Sequence, residues 1–79
     1  MGHNPKLTPE ACRAGRAILR WSAARLSEEA GLSRSIIAKV ENGGPISEAT
    51  DRRIIQAFKR SRVEILSDQG AGARLTRGR

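Results

Sequence analysis

The sequence predicts an all-α domain of four short helices that ends in a C-terminal β strand or hairpin. Three observations predict it. Thr8, Ser22, Ser33 and Ser47 each stand just ahead of a segment with apolar residues at helical spacing, and hydroxyl side chains are preferred caps for the unpaired N–H groups that open a helix. Strong breaks fall between those segments, at Gly31 and at Asn42-Gly43-Gly44-Pro45. Beyond residue 60 the pattern changes to Val63-Glu64-Ile65-Leu66, β-branched and partly alternating, followed by turn-rich sequence.

At 79 residues the chain has room for one domain, since domains commonly run about 100–200 residues. It divides into an arm (1–7), a helical domain (8–60) and a β-like basic tail (61–79). Pro5 and polar neighbours make 1–7 a loose arm. Thr8 caps the first helix, Pro9 suits its first position, and Glu10 favours the positive end of the dipole. Ala14, Ala17, Ile18 and Trp21 then follow on one expected face, and the helix stops near Arg20 or Trp21. Ser22 caps a second helix through Ala30, with Leu26 and Ala30 on one face. Gly31 ends it in a left-handed conformation. Ser33 caps a third helix, Arg34 to Glu41, with Ile36, Ile37 and Val40 apolar. The fourth starts at Ser47, with Asp51 nearby, and reaches about Arg60, burying Ala49 or Thr50, Ile54, Ile55 and Phe58. Residues 67–72 form a loop and 73–77 a second strand in which Leu75 is the sizeable apolar residue.

Composition excludes several classes. No apolar run approaches the ~18 residues of a membrane span, and residues 1–10 carry no apolar signal core. A single cysteine, Cys12, can form neither an internal disulfide nor a Cys-rich zinc site. The chain reads as cytoplasmic. His3 in the arm has no Cys or second His to complete a metal site, and Cys12 reads as a small helix residue without chemistry. With one His, one Cys, no Tyr and no phosphate-binding glycine motif, no catalytic constellation is present. No enzyme, cofactor, metal or small-molecule ligand is expected.

Charge points to a partner. Lys and Arg number 15 against 8 Asp and Glu, for a net charge of +7, and twelve of the cations are Arg, whose planar fork suits phosphate and guanine edges. A small basic domain commonly binds nucleic acid, an anionic membrane, or nothing specific. A membrane-surface helix needs a basic face backed by large apolar residues, whereas these apolar faces are sized for each other.

The second and third helices are separated only by Gly31, Leu32 and Ser33. A helix-turn-helix needs such a tight connection so that its second helix can project into the major groove. Leu26 and Ala30 point inward, Ser27 is small where the helices cross, and Leu32, Ile37 and Val40 close the core beneath. On Trp21-Ser22, Leu26, Ala30-Gly31-Leu32-Ser33-Arg34-Ser35, Ile37 and Val40-Glu41-Asn42-Gly43, the chain resembles the Cro/repressor-type helix-turn-helix regulators, the XRE family, over roughly Leu7 to Phe58. Small controller proteins of restriction–modification systems and mobile-element regulators share this size and plan.

That resemblance implies a four-helix Cro/repressor-like domain whose third helix, 34–41, reads double-stranded DNA. Arg34 matches a base-reading position and prefers guanine O6 and N7. Ser35 matches the next, and Lys39 the third, reaching guanine or a phosphate; Ala38 can touch only a thymine methyl. Ser22, Ser33 and Asn42 match phosphate-contacting positions. Glu41 matches the partner of an arginine on the first helix, here Arg16, as a structural ion pair. Where the family usually carries a phosphate-gripping Gln, this chain has Ala23, so that contact is lost or is replaced by Arg25 or a basic arm.

The 22–42 segment is itself neutral: Arg25, Arg34 and Lys39 stand against Glu28, Glu29 and Glu41. Phosphate neutralisation therefore falls to the flanks, with Lys6, Arg13, Arg16 and Arg20 on one side. On the other stand Arg52, Arg53, Lys59, Arg60, Arg62, Arg74, Arg77 and Arg79, although a charged helix face is more often simply solvated. Trp21 reads as core and Ile36 as either a thymine-methyl contact or a flank residue. The expected activity is sequence-specific transcriptional regulation by a homodimer on a pseudo-palindrome. Its seam is drawn from Ile54, Ile55 and Phe58 or from the strand edge at Val63–Leu66. The alternative is a protein-interaction module, an antitoxin or anti-activator, on the same fold.

Overall fold

The computed structural model describes residues 7–66 and 72–76. Four helices, α1 (Pro9–Leu19), α2 (Ala23–Ala30), α3 (Arg34–Glu41) and α4 (Glu48–Arg60), precede an antiparallel hairpin of β1 (Val63–Leu66) and β2 (Gly72–Leu75). His3, Lys6, the 67–71 connection and Arg77 to Arg79 lie outside the described residues. No described helix is long and apolar enough to cross a membrane.

Every helix opens in the same way. The hydroxyls of Thr8, Ser22, Ser33 and Ser47 accept from the backbone N–H of Ala11, Arg25, Ile36 and Thr50 at 3.0–3.2 Å. Each such cap contributes about 1 kcal/mol. The first two helices also close alike. Gly31 adopts φ 68°, and the Leu32 N–H reaches back to the Ser27 carbonyl at 2.9 Å. Arg20 adopts φ 58°, with Trp21 N–H on the Arg16 carbonyl at 2.9 Å. The left-handed residue after α1 is thus an arginine where glycine is the usual choice.

The core gathers Leu26, Ile37, Val40, Ile54, Phe58, Val63 and Ile65 from α2, α3, α4 and β1. Helix α1 joins it through a face different from the expected one. Ala11, Cys12 and Gly15 are buried, whereas Ala17 and Ile18 are exposed and Ala14 and Trp21 half-buried. The reason is close approach: a β-carbon on Gly15 would stand 2.8 Å from the Phe58 ring, so the smallest residues of α1 mark its contact with α4. Trp21 stacks on the same ring, centroids 6.0 Å apart.

The buried face of α4 is Ile54, Ala57 and Phe58; Ala49 is exposed, and Thr50 and Ile55 are half-buried. Ile54 and Phe58 are wholly enclosed and so are not a dimer seam, because the core of their own chain already covers them. Leu7, grouped with the arm by sequence, is buried, and its N–H donates to Asp51 Oδ1 at 3.1 Å. The hairpin is likewise part of the core. Val63 and Ile65 are enclosed and pair in register with Leu75 and Ala73, while outward-facing Glu64 and Arg74 form an ion pair at 2.9 Å. Strand β2 begins at Gly72 and ends at Leu75, slightly earlier than expected. Among the described residues, Leu75 and Ile18 are the exposed large apolar ones, at 61% and 37%.

Candidate nucleic-acid interface

Helix α3 divides sharply into two faces. Ile37 and Val40 are buried, and Ile36 is half-buried and packed against the core. Arg34, Ser35, Ala38 and Lys39 are exposed, and at 3.6 residues per turn they share one outward face. Ser33 is exposed at the start of α3, its Oγ engaged as the cap. Asn42 is exposed at its end. Ser22 sits at the far end of α2 from the turn, about 12 Å along the axis for eight residues at ~1.5 Å each.

Two features hold α3 in place. At its start, α2, the 31–33 turn and the Ser33 cap fix the entry of the chain. At its end, Arg16 grips Glu41 with both arms of its fork, Nε to Oε2 at 2.8 Å and Nη2 to Oε1 at 2.7 Å. A second Nη donates to the Trp21 carbonyl at 3.1 Å. The side chains are 23% and 12% exposed, so the pair is half-buried at the α1–α3 junction. Arg13 completes the junction, donating from Nη1 to the Glu41 carbonyl at 2.6 Å. Its cation thereby meets the negative end of the α3 dipole.

Cys12 belongs to this junction. Its thiol donates to Glu41 Oε2 at 3.1 Å. Burial pushes the thiol pKa upward, and the neighbouring carboxylate pushes it further, which favours the protonated, hydrogen-bond-donating form. For Glu41, burial acts to raise the pKa, but hydrogen bonds from Arg16 and Cys12 and the charges of Arg16 and Arg13 outweigh it. Its pKa is held below the ordinary 4.5. The Glu41 hydrogen bond in turn raises the pKa of Arg16, against the opposing effect of burial.

Several contributors escape the sequence patterns. Gly44 lies so close to Lys39 that a β-carbon there would stand 2.7 Å from Lys39 Cγ and 3.2 Å from its carbonyl. The loop after α3 therefore borders the stem of a candidate reader. Arg25 forms an ion pair with Glu29 at 2.8 Å and lies over the Trp21 ring, 5.2 Å from its centroid. It is thus tied to its own helix and to the α1–α2 junction. On α4, Arg53 Nη1 donates to the Gly31 carbonyl at 3.4 Å and Arg60 Nη2 to the Glu29 carbonyl at 2.7 Å. Their seven-residue separation, two helical turns on one face, was the available signal. No protein-family model matches the chain, and no curated protein matches it significantly.

Proposed function

We propose that this chain is a sequence-specific, double-stranded-DNA-binding transcriptional regulator of the Cro/repressor-like helix-turn-helix kind, acting in the cytoplasm as a homodimer. One observation carries the reading: α3 presents Arg34, Ser35, Ala38 and Lys39 outward together, on a helix fixed at both ends by a capped turn and a half-buried ion pair. A major groove about 12 Å wide admits such a helix. Arg34 pairs with guanine O6 and N7, Ser35 takes either donor or acceptor edges, and Lys39 reaches a guanine or a phosphate one turn further on. Ser22, Ser33 and Asn42 contact phosphates, the first two at helix starts whose N–H groups favour anions.

So few reading side chains specify only a short site. Two copies on an inverted repeat, with centres about one helical turn apart, supply the remaining specificity. With Ile54 and Phe58 enclosed, the exposed Ile18 and Leu75 are the large apolar residues left for a seam.

The test compares Arg34→Ala with the wild type on an operator selected from random DNA and on its scrambled version. The substitution should cost about 1–3 kcal/mol on the operator, and relax the preference at one base position, while leaving scrambled binding nearly unchanged. An equal loss on both duplexes would show that α3 does not read bases. Stable binding to a protein in place of DNA would favour the interaction-module reading.

A further inference from the structure

An open cleft of about 480 Å³ lies between α2 and α4, lined by Ala30, Ala49, Arg52, Arg53, Gln56 and Arg60. Helix α2 has no basic residue in its own last turn, and α4 supplies that charge through Arg53 on Gly31 and Arg60 on Glu29. Each of these contacts uses one of the five N–H donors of a guanidinium. The two forks are thus oriented by the protein while further donors line the cleft.

Acidic groups do little to neutralise it. The Glu29 carboxylate is engaged by Arg25, and Glu48 approaches Arg52 only to 3.9 Å, both side chains being largely exposed. Ala30 and Ala49 leave the space between the arginines open.

We infer that this cleft seats a phosphate of the DNA backbone bordering the groove that α3 enters, an inference that rests on the DNA-binding function proposed above. Position supports it: Arg53 bonds Gly31, the first residue of the three-residue turn that leads from α2 into α3. Charge supports it too. The 22–42 segment is neutral overall, Ala23 offers no phosphate-gripping side chain, and Arg25 is held by Glu29. Backbone attraction must therefore come from another element, and α4 places three guanidiniums on the cleft wall, one of them bonded to the turn. Planar guanidinium forks suit phosphate oxygens, and Gln56 adds an amide donor.

The experiment measures duplex affinity across a salt series for the wild type, the double variant Arg52→Gln/Arg53→Gln, and Ala49→Glu. Ala49 is exposed and makes none of the α2-capping contacts. The Glu variant therefore places a carboxylate in the cleft, four residues from Arg53, without removing any arginine, and thermal melts verify folding. The seat predicts that log Kobs against log salt becomes less steep by about 0.9 for each phosphate that the variant no longer neutralises. Affinity should fall roughly tenfold, equally on operator and scrambled duplexes, because phosphates carry no sequence. An unchanged slope in a folded Ala49→Glu variant, with the operator preference of the wild type intact, would overturn the seat and leave the proposed function standing. A wild-type chain that binds no duplex overturns both. Pyrophosphate, followed through the Arg Nε signals by NMR, distinguishes the remaining source. Shifts of Arg52, Arg53 and Arg60 in a protein that ignores duplex would assign the cleft to a free phosphate-bearing ligand and overturn the backbone assignment.

Discussion

Two helix C-termini in this molecule are met by arginines from a neighbouring helix, and their surroundings differ. At the end of α3, Arg16 and Arg13 of α1 converge on Glu41, and the Cys12 thiol donates a third hydrogen bond to its carboxylate. At the end of α2, Arg53 and Arg60 of α4 touch only backbone carbonyls, on the wall of an open cleft. The first junction encloses a charge and matches it on every side. The second orients charges and leaves them facing water. A guanidinium that meets a half-buried carboxylate bidentately is committed to holding two helices together, because the desolvated partner cannot be left alone. A guanidinium that meets an exposed carbonyl keeps most of its donors for something else.

The comparison sets the order of stability losses. Glu41→Ala leaves Arg16 half-buried without its carboxylate and Cys12 without its acceptor. It should cost about 3 kcal/mol, the lower end for breaking a buried pair, and lower Tm by on the order of 15 °C in a domain of this size. Arg60→Ala removes a contact at a helix C-terminus and should cost less than about 1 kcal/mol. Thermal melts of the two variants side by side decide the matter, and equal losses would erase the distinction between lock and cleft.

Acid sharpens it further. The Glu41 pKa is depressed on folding, so its contribution is fully present above the ordinary 4.5 and is lost as pH falls below that value through the folded one. The stability deficit of Glu41→Gln relative to the wild type should therefore shrink between neutral pH and pH of about 3. The deficit of Arg60→Ala should stay level, because a carbonyl does not titrate. Chemical denaturation at several pH values measures both, and a Glu41→Gln deficit independent of pH would contradict the depressed carboxyl.

The parts of this fold legible from sequence are those set by local chemistry. A hydroxyl that must satisfy the N–H three residues on, and a glycine that must reach positive φ, act within one turn of chain. Hence Thr8, Ser22, Ser33, Ser47 and Gly31 place the helices closely. The face of α1 was less legible because its contact is made by Ala11, Cys12 and Gly15, residues with little apolar weight, whereas Ile18 has weight and stands exposed. Leu7 gave no signal beside Pro5 and its polar neighbours, since the Asp51 carboxylate that accepts from its N–H lies 44 residues away on α4. The outward face of α3 was legible because burial of Ile37 and Val40 dictates it. The roles of Arg53 and Arg60 were not, because their partners are backbone carbonyls 22 and 31 residues away, and carbonyls carry no sequence.

The most direct test of the central claim is selection of bound duplexes from a random pool by the full chain at physiological salt, where non-specific phosphate attraction is much weakened. The account predicts enrichment of an inverted repeat with a recurring guanine in each half-site and centres about one helical turn apart. A pool that emerges as random as it entered, from protein that is folded and basic, would contradict a reading helix on α3.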